Sequence, residues 1–168
     1  MIQTERLLIR PWNESDVQAY LTLSTDIGYN CFSPPGIYLV KDEVEALAKI
    51  KERMHKYALN RAGKFPIFLR GSDEFVGTCG FDPYTIEGKP EFELGYRLVL
   101  RHWGKGYATE AACAVVDHGF KVLDRLRLFA FALKVNKPSI EVIQRLGFQP
   151  IGKIFHFGLD HELFAQER

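Results

Sequence analysis

The sequence predicts a mixed α/β domain built on one central, mostly antiparallel sheet, and three observations carry that reading. Residues 65–70 and 75–81 flank Gly71-Ser72-Asp73-Glu74, a hairpin signature, and a further strand over 91–100 follows a second turn near Glu87-Gly88-Lys89-Pro90. Residues 126–135 are nearly all apolar, as a strand covered on both faces must be. A helical run over 107–122 lies between these last two strands and makes a βαβ-like unit after the hairpins.

The elements follow in order. Leu7, Leu8 and Ile9 form a short strand stopped by Pro11. Asn13-Glu14-Ser15-Asp16 is rich in capping residues, and Val17, Tyr20 and Leu21 follow at helical spacing. Residues 31–38, with Pro34-Pro35-Gly36, read as a loop. Val44, Leu47, Ala48, Met54 and Leu59 recur near period 3.6 and predict a long amphipathic helix over 41–59. In the strand over 91–100, Phe92, Leu94, Tyr96 and Leu98 alternate with Glu91, Glu93, Gly95 and Arg97. Ala111, Ala114, Val115 and Phe120 mark the buried side of the helix over 107–122. A short helix over 138–146 stops at Gly147, and 149–157 reads as a last strand. With 168 residues and no linker, repeat or low-complexity stretch, residues 1–168 are expected to form a single domain.

Composition excludes several classes. Apolar residues make up 46% and charged residues 26%, enough for a packed core. A net charge of +1 argues against nonspecific nucleic-acid or polybasic membrane partners. Three widely spaced cysteines, Cys31, Cys79 and Cys113, form no CxxC pair, and the five histidines show no HExxH spacing, so no metal is expected. The charged start MIQTERLLIR is unlike a signal peptide, and no later run approaches a membrane span. A reduced, cytoplasmic compartment is the expectation.

The stretch RHWGKGYATEAA, residues 101–112, raises the functional question. It places Gly104 and Gly106 between a strand and a helix. The first turn of a helix leaves main-chain N–H groups without partners, and with the helix dipole they attract an anion, most readily a phosphate. Glycines let a bulky oxyanion approach the backbone. Lys105 adds a cation, and the Thr109 hydroxyl could donate from the first turn. A tight turn with no ligand is the competing reading. The stretch is neither a Walker loop nor a GxGxxG fingerprint. If the strands ending near 100 and 135 were parallel neighbours through a right-handed crossover, residues 133–139 would emerge beside this turn, at the strand ends where open α/β sheets bind ligands.

Together, ELGYRLVLRHWGKGYATEAACAVVDHGF and NKPSIEVIQRLGF, supported by TERLLIRPW and FVGTCGF, resemble the GNAT N-acetyltransferases. The likeness is to the branch that includes the enzymes acetylating ribosomal-protein N-termini. The resemblance implies a twisted sheet splayed between two parallel strands, with helices on both faces and acetyl-CoA as cosubstrate. It implies a pyrophosphate held by the amides of Gly104, Lys105, Gly106, Tyr107, Ala108 and Thr109, in the register that starts at Trp103 rather than Arg101. It implies a bulged strand whose Tyr96, Arg97 and Leu98 pair with the pantetheine arm, and Asn136 meeting that arm from the other wall.

Transfer of acetyl from a thioester to an amine needs a base for the ammonium, a donor at the carbonyl and a proton for the departing thiolate. Glu93 is the candidate base. The competing readings are a solvent-facing side chain, a pair with Arg97, or proton shuttling by water. The N–H of Leu98 is the expected carbonyl donor. The tyrosine that many family members use as acid is Ile143 here, which cannot donate. Ser139 is the candidate acid, with helix capping as its alternative. Cys79 and Cys113 read as buried core residues, His102 and Trp103 as packing groups, and His118 as solvated. Lys134, Lys137 and Arg145 could steer the ribose phosphate of CoA, or simply be a solvated face. Phe32, Tyr38, Tyr84, Phe155 and Phe157 could line an acceptor pocket or the core.

The resulting expectation is a ternary-complex acetyl transfer to a primary amine, a small molecule or a protein N-terminus. The alternative is a noncatalytic acyl-CoA-binding sensor or recruitment module. A nucleotide-phosphate binder unrelated to CoA is a third reading, weakened by the missing Walker pair. Homodimerisation is left open.

Overall fold

The computed structural model describes residues 1–86 and 88–168. The part of the second expected turn that falls on Glu87 lies outside the described residues. The strands are β1 (Ile2–Gln3), β2 (Leu7–Ile9), β3 (Lys64–Leu69), β4 (Phe75–Ile86), β5 (Lys89–Leu98), β6 (Arg127–Leu133), β7 (Gln149–His156) and β8 (Leu159–Glu167). The α-helices are α1 (Val17–Thr25), α2 (Ile27–Asn30), α3 (Glu43–Asn60), α4 (Tyr107–Lys121) and α5 (Lys137–Arg145). The strands form one eight-stranded sheet in the order β1-β2-β3-β4-β5-β6-β8-β7. Every neighbouring pair is antiparallel except β5 and β6.

The sheet has apolar layers on both faces. Leu7, Ile67, Val76, Leu94 and Leu128 pack with Val115 of α4 and Ile143 of α5. Gly119 lets α4 lie close to the sheet, because a Cβ there would meet Phe81 at 2.8 Å. Trp12, Tyr20, Leu23 and Ile50 form a second cluster with Phe68 and Phe75. The α3 start is fixed by Asp42, whose carboxylate accepts from the Glu45 N–H at 2.9 Å.

The structure departs from the expected elements in three places. The single helix read after Asn13 is two, because Asp26 is extended (ψ 125°) and starts α2 by accepting from the Tyr29 N–H. Strand β1, at two residues, is too short to show a pattern. Strand β8 is an addition to the expected order. It joins β7 through Phe157 and Gly158, both at positive φ (49° and 78°), the geometry of a two-residue hairpin loop. Phenylalanine at the first of these positions hides the usual Asn-Gly signal. Once formed, β8 inserts between β6 and β7.

Candidate active site

The site begins where two strands part. β5 and β6 share only two register pairs, Glu93 with Phe129 and Leu94 with Ala130. Beyond them β5 stays on β4 as far as Leu98, and β6 stays on β8 as far as Leu133. The wedge between them is a cleft of about 710 Å³. The β4–β5 register runs without a shift through Tyr96, Arg97 and Leu98, so the expected bulge is absent. Divergence of β6 leaves the edge of β5 free without an inserted residue. Val99 donates to Val76 of β4 at 3.0 Å. Alternation along the strand then turns the main-chain groups of Leu98 and Tyr96 toward the cleft and those of Arg97 toward β4. Arg97 reaches the cleft through its side chain, which meets Ser33 Oγ and the Tyr29 carbonyl.

At the head of the cleft, β5 passes through a 3-10 turn (Leu100–His102) into the glycine stretch and α4. Gly104 and Gly106 have φ of 72° and 81°, a backbone that favours glycine. Among the described residues, the N–H groups of Gly104, Lys105, Gly106, Tyr107, Ala108 and Thr109 donate to no protein acceptor; the first amide of α4 to do so is that of Glu110, to Gly106. Glu110, the first acidic residue after the turn in sequence, does not cap them. Glu110 instead accepts from Arg6 N at 2.9 Å, Arg6 Nε at 2.6 Å and Thr4 Oγ1 at 2.5 Å. Burial pushes its carboxyl up, and the hydrogen bonds from Thr4 and Arg6 more than offset this and hold it below the usual range. Arg6 also donates to the Lys105 carbonyl at 3.0 Å and lies over the Tyr107 ring. The ion pair between Arg6, just before β2, and Glu110 of α4 thus holds the turn and leaves its amides open.

The residues that open the two registers of this motif, Arg101 and Trp103, are placed differently. Arg101 turns away to Glu74 at 2.9 Å. Trp103 donates its indole N–H to the Leu98 carbonyl at 2.9 Å and lines the cleft. His102 is buried against Tyr107. Burial holds its imidazole below the ordinary value, against the pull of Glu74 at 3.2 Å.

On the opposite wall, Asn136 is the cap of α5: its Oδ1 accepts from the Ser139 N–H at 3.3 Å. The Ser139 side chain is therefore not the cap. Its Oγ lies 3.1 Å from the Tyr96 hydroxyl, which also donates to the Ser139 carbonyl at 2.9 Å. Burial raises the Tyr96 phenol well above its ordinary value, against the lowering effect of Ser139, so it stays protonated and can donate. Ile143 is fully buried on the cleft wall.

Glu93 is only 4% exposed, so it does not face solvent, and Arg97 reaches Ser33 and Tyr29 rather than Glu93. The partner of Glu93 is Lys64, at the start of β3, whose Nζ sits 2.9 Å from Glu93 Oε2 and 3.0 Å from Asp82 Oδ2. Burial raises the Glu93 carboxyl, opposed by the Lys64 charge. Burial works against the Lys64 ammonium, but Glu93 and Asp82 outweigh it and hold the lysine charged. Glu93 and Gly95 both line the cleft.

Other expectations need correction. Cys79 is buried, and burial pushes its thiol up to about 12, but Cys113 is exposed because it falls on the outer side of α4. His118 is half-buried rather than solvated, and burial lowers its imidazole. Arg145 pairs with Glu141 along α5. Phe32, Tyr38, Tyr84 and Phe157 line the cleft, whereas Phe155 faces outward and is 71% exposed. Sequence reading missed Lys64 and the Tyr96 hydroxyl. Lys64 precedes Glu93 by 29 positions and belongs to none of the motifs that carry the resemblance. Tyr96 sits among the apolar positions of its strand. Among the described residues, no group of three or more His, Cys, Asp or Glu could hold a metal ion, and no helix is long and apolar enough to cross a membrane.

Comparison with known proteins bears on the family and the fold. The family model described as acetyltransferase (GNAT) domain matches residues 6–149. The uncharacterized N-acetyltransferase YnaD of Bacillus subtilis is 32% identical over 90% of this chain and 84% of its own length. The spermidine N(1)-acetyltransferase of Escherichia coli K12 is 40% identical over a shorter stretch, 42% of this chain and 37% of that protein. The solved structure of RimL, a ribosomal L7/L12 alpha-N-protein acetyltransferase in complex with coenzyme A, superposes with a TM-score of 0.82. It covers 98% of this chain and 95% of that one at 20% identity, a likeness of fold.

Proposed function

The chain belongs to the GNAT acetyltransferase family and is an acetyl-CoA-dependent acetyltransferase, and from that premise we propose that it moves an acetyl group directly from acetyl-CoA to a primary amine within a ternary complex. The observation that carries this reading is the row of unpaired amides from Gly104 to Thr109 at the mouth of the cleft. Such donors, at a helix N-terminus and beside Lys105, suit a diphosphate. The pantetheine arm would run down the wedge against the main chain of Tyr96 and Leu98, with the Arg97 side chain and Asn136 at its sides. Residues 1–168 act as one catalytic domain. Free Cys31, Cys79 and Cys113 fit a reducing cytoplasm.

In this reading the amine nitrogen attacks the thioester carbonyl, the N–C bond forms and the C–S bond breaks. The first ammonium proton passes to the Glu93 carboxylate, directly or through one water, before attack. The Leu98 N–H donates to the carbonyl oxygen as negative charge develops. The thiolate takes its proton from the Ser139 hydroxyl, which lies 3.1 Å from the Tyr96 hydroxyl, and the second amine proton, lost as the N–C bond forms, returns through water to Ser139. The acceptor amine is a small molecule or a protein N-terminus. A noncatalytic acyl-CoA sensor would have no use for a buried carboxylate and a protonated phenol facing one cleft.

Bisubstrate initial rates, followed by thiol release, test the proposal. Intersecting double-reciprocal lines are expected. Parallel lines with an isolable acetyl-enzyme would replace direct transfer, and acetyl-CoA binding without thiol release to any amine would favour the sensor.

A further inference from the structure

A second cavity, of about 510 Å³, lies between α3 and the sheet and meets the cleft at Tyr29, Tyr38, Lys64 and Asp82. Four cationic side chains (Lys49, Arg53, Lys56, Lys64) and two acidic ones (Glu52, Asp82) line it. Both carboxylates are already engaged. Glu52 takes Lys56 at 2.6 Å and Lys49 at 3.3 Å, and Asp82 takes Lys64 at 3.0 Å. Arg53 has no carboxylate partner among the described residues. Its guanidinium is partly buried and lies over the rings of Trp12 and Tyr20, at 5.7 and 5.4 Å. Aromatic faces hold the guanidinium in place while sparing most of its in-plane donors. A planar cation fixed this way, in a cavity with spare positive charge, is suited to a carboxylate that arrives with a ligand.

We propose that this cavity is the acceptor pocket and that Arg53 selects amines carrying a carboxylate or similar anion at their far end. The inference rests on the acetyl-transfer reading for the amine end of the acceptor, which would lie at Glu93 while its anionic end reaches Arg53 past Lys64 and Asp82. It also predicts what the pocket rejects. A polyamine would bring further positive charge against four cations whose three counter-charges, Glu52, Asp82 and Glu93, are all taken.

The test uses ω-amino acids from glycine to 8-aminooctanoic acid, each with its primary amide and the matching diamine. Acetyl transfer is measured as kcat/KM, and binding by calorimetry with CoA present. At least one chain length should favour the acid over its amide and diamine by tenfold or more. Arg53→Met should remove that preference through KM with kcat little changed, and Arg53→Lys should restore part of it. Equal kcat/KM for acid and amide at every length, or a preference that survives Arg53→Met, overturns the inference while leaving acetyl transfer standing. If no amine is acetylated although CoA binds, the transfer reading fails, and acid-over-amide binding still decides Arg53. Should Arg53→Met melt early, the wild-type comparison of acid with amide, together with Arg53→Gln, decides the matter in its place.

Discussion

Lys64 Nζ bridges Glu93 Oε2 at 2.9 Å and Asp82 Oδ2 at 3.0 Å, so the buried carboxylate on the cleft strand is paired with a lysine from a different strand. Burial raises the Glu93 carboxyl, and the neighbouring Lys64 charge opposes that rise. Removing the lysine would strand two carboxylates near each other. Lys64→Met should cost about 3–5 kcal/mol, as for other broken buried pairs, and lower Tm by on the order of 10 °C. In the folded fraction the pH–rate profile should move to higher pH as Glu93 becomes harder to ionise. A rate profile unchanged in pH would detach Lys64 from the chemistry.

Glu93→Gln removes the proposed base and keeps the shape. The rate should fall by about 10²-fold, the usual worth of a positioned base. The loss should be greatest below the pKa of the acceptor amine and shrink above it, where the free amine needs no base. A uniform loss across pH would point to a structural role.

Gly106→Glu places a carboxylate among the free amides of the turn. At a φ of 81° any side chain costs about 1–2 kcal/mol, so Gly106→Ala is the control for strain. Calorimetry should show CoA affinity reduced by less than about tenfold in the alanine variant and by more than about 100-fold in the glutamate variant, on the order of a lost charge-assisted site. Equal affinities in two folded variants would remove the turn as the diphosphate site.

The Tyr96 phenol and the Ser139 hydroxyl, 3.1 Å apart, should act as one unit. Tyr96→Phe and Ser139→Ala should each lower kcat by about tenfold with little change in KM for acetyl-CoA, and the double variant should be hardly worse than either. Additive losses would separate the two groups.

Acid should destabilise the protein earlier than its carboxylates require. Burial holds the imidazoles of His102, His118 and His156 below their ordinary value of 6.5, so the fold prefers them neutral. Their contribution is fully present above that value and is lost as pH falls through the lower folded values. Tm should therefore decline between about pH 7.5 and 5.5, and His102→Phe should flatten the decline unless the larger ring fails to fit. A flat profile in the wild type would contradict the buried neutral state.

The sequence by itself determined what depends on local pattern. The amphipathic helix α3, the β3–β4 hairpin, the apolar strand β6 and the glycine turn ahead of α4 are written in runs of neighbouring residues, because helix and strand periods and left-handed glycine positions act over a few bonds. Glu93, Ser139 and the row from Gly104 to Thr109 are legible the same way, as members of contiguous stretches. The tertiary structure alone decided the rest. It brought Lys64 to Glu93 across β4, set the Tyr96 hydroxyl on Ser139, turned Glu110 away to Arg6, and placed β8 between β6 and β7. Each joins segments distant in the chain, where the deciding terms are burial and the pairing of charge within a low-dielectric interior. Those terms depend on which strands are neighbours, and that order is settled only when the sheet closes its core.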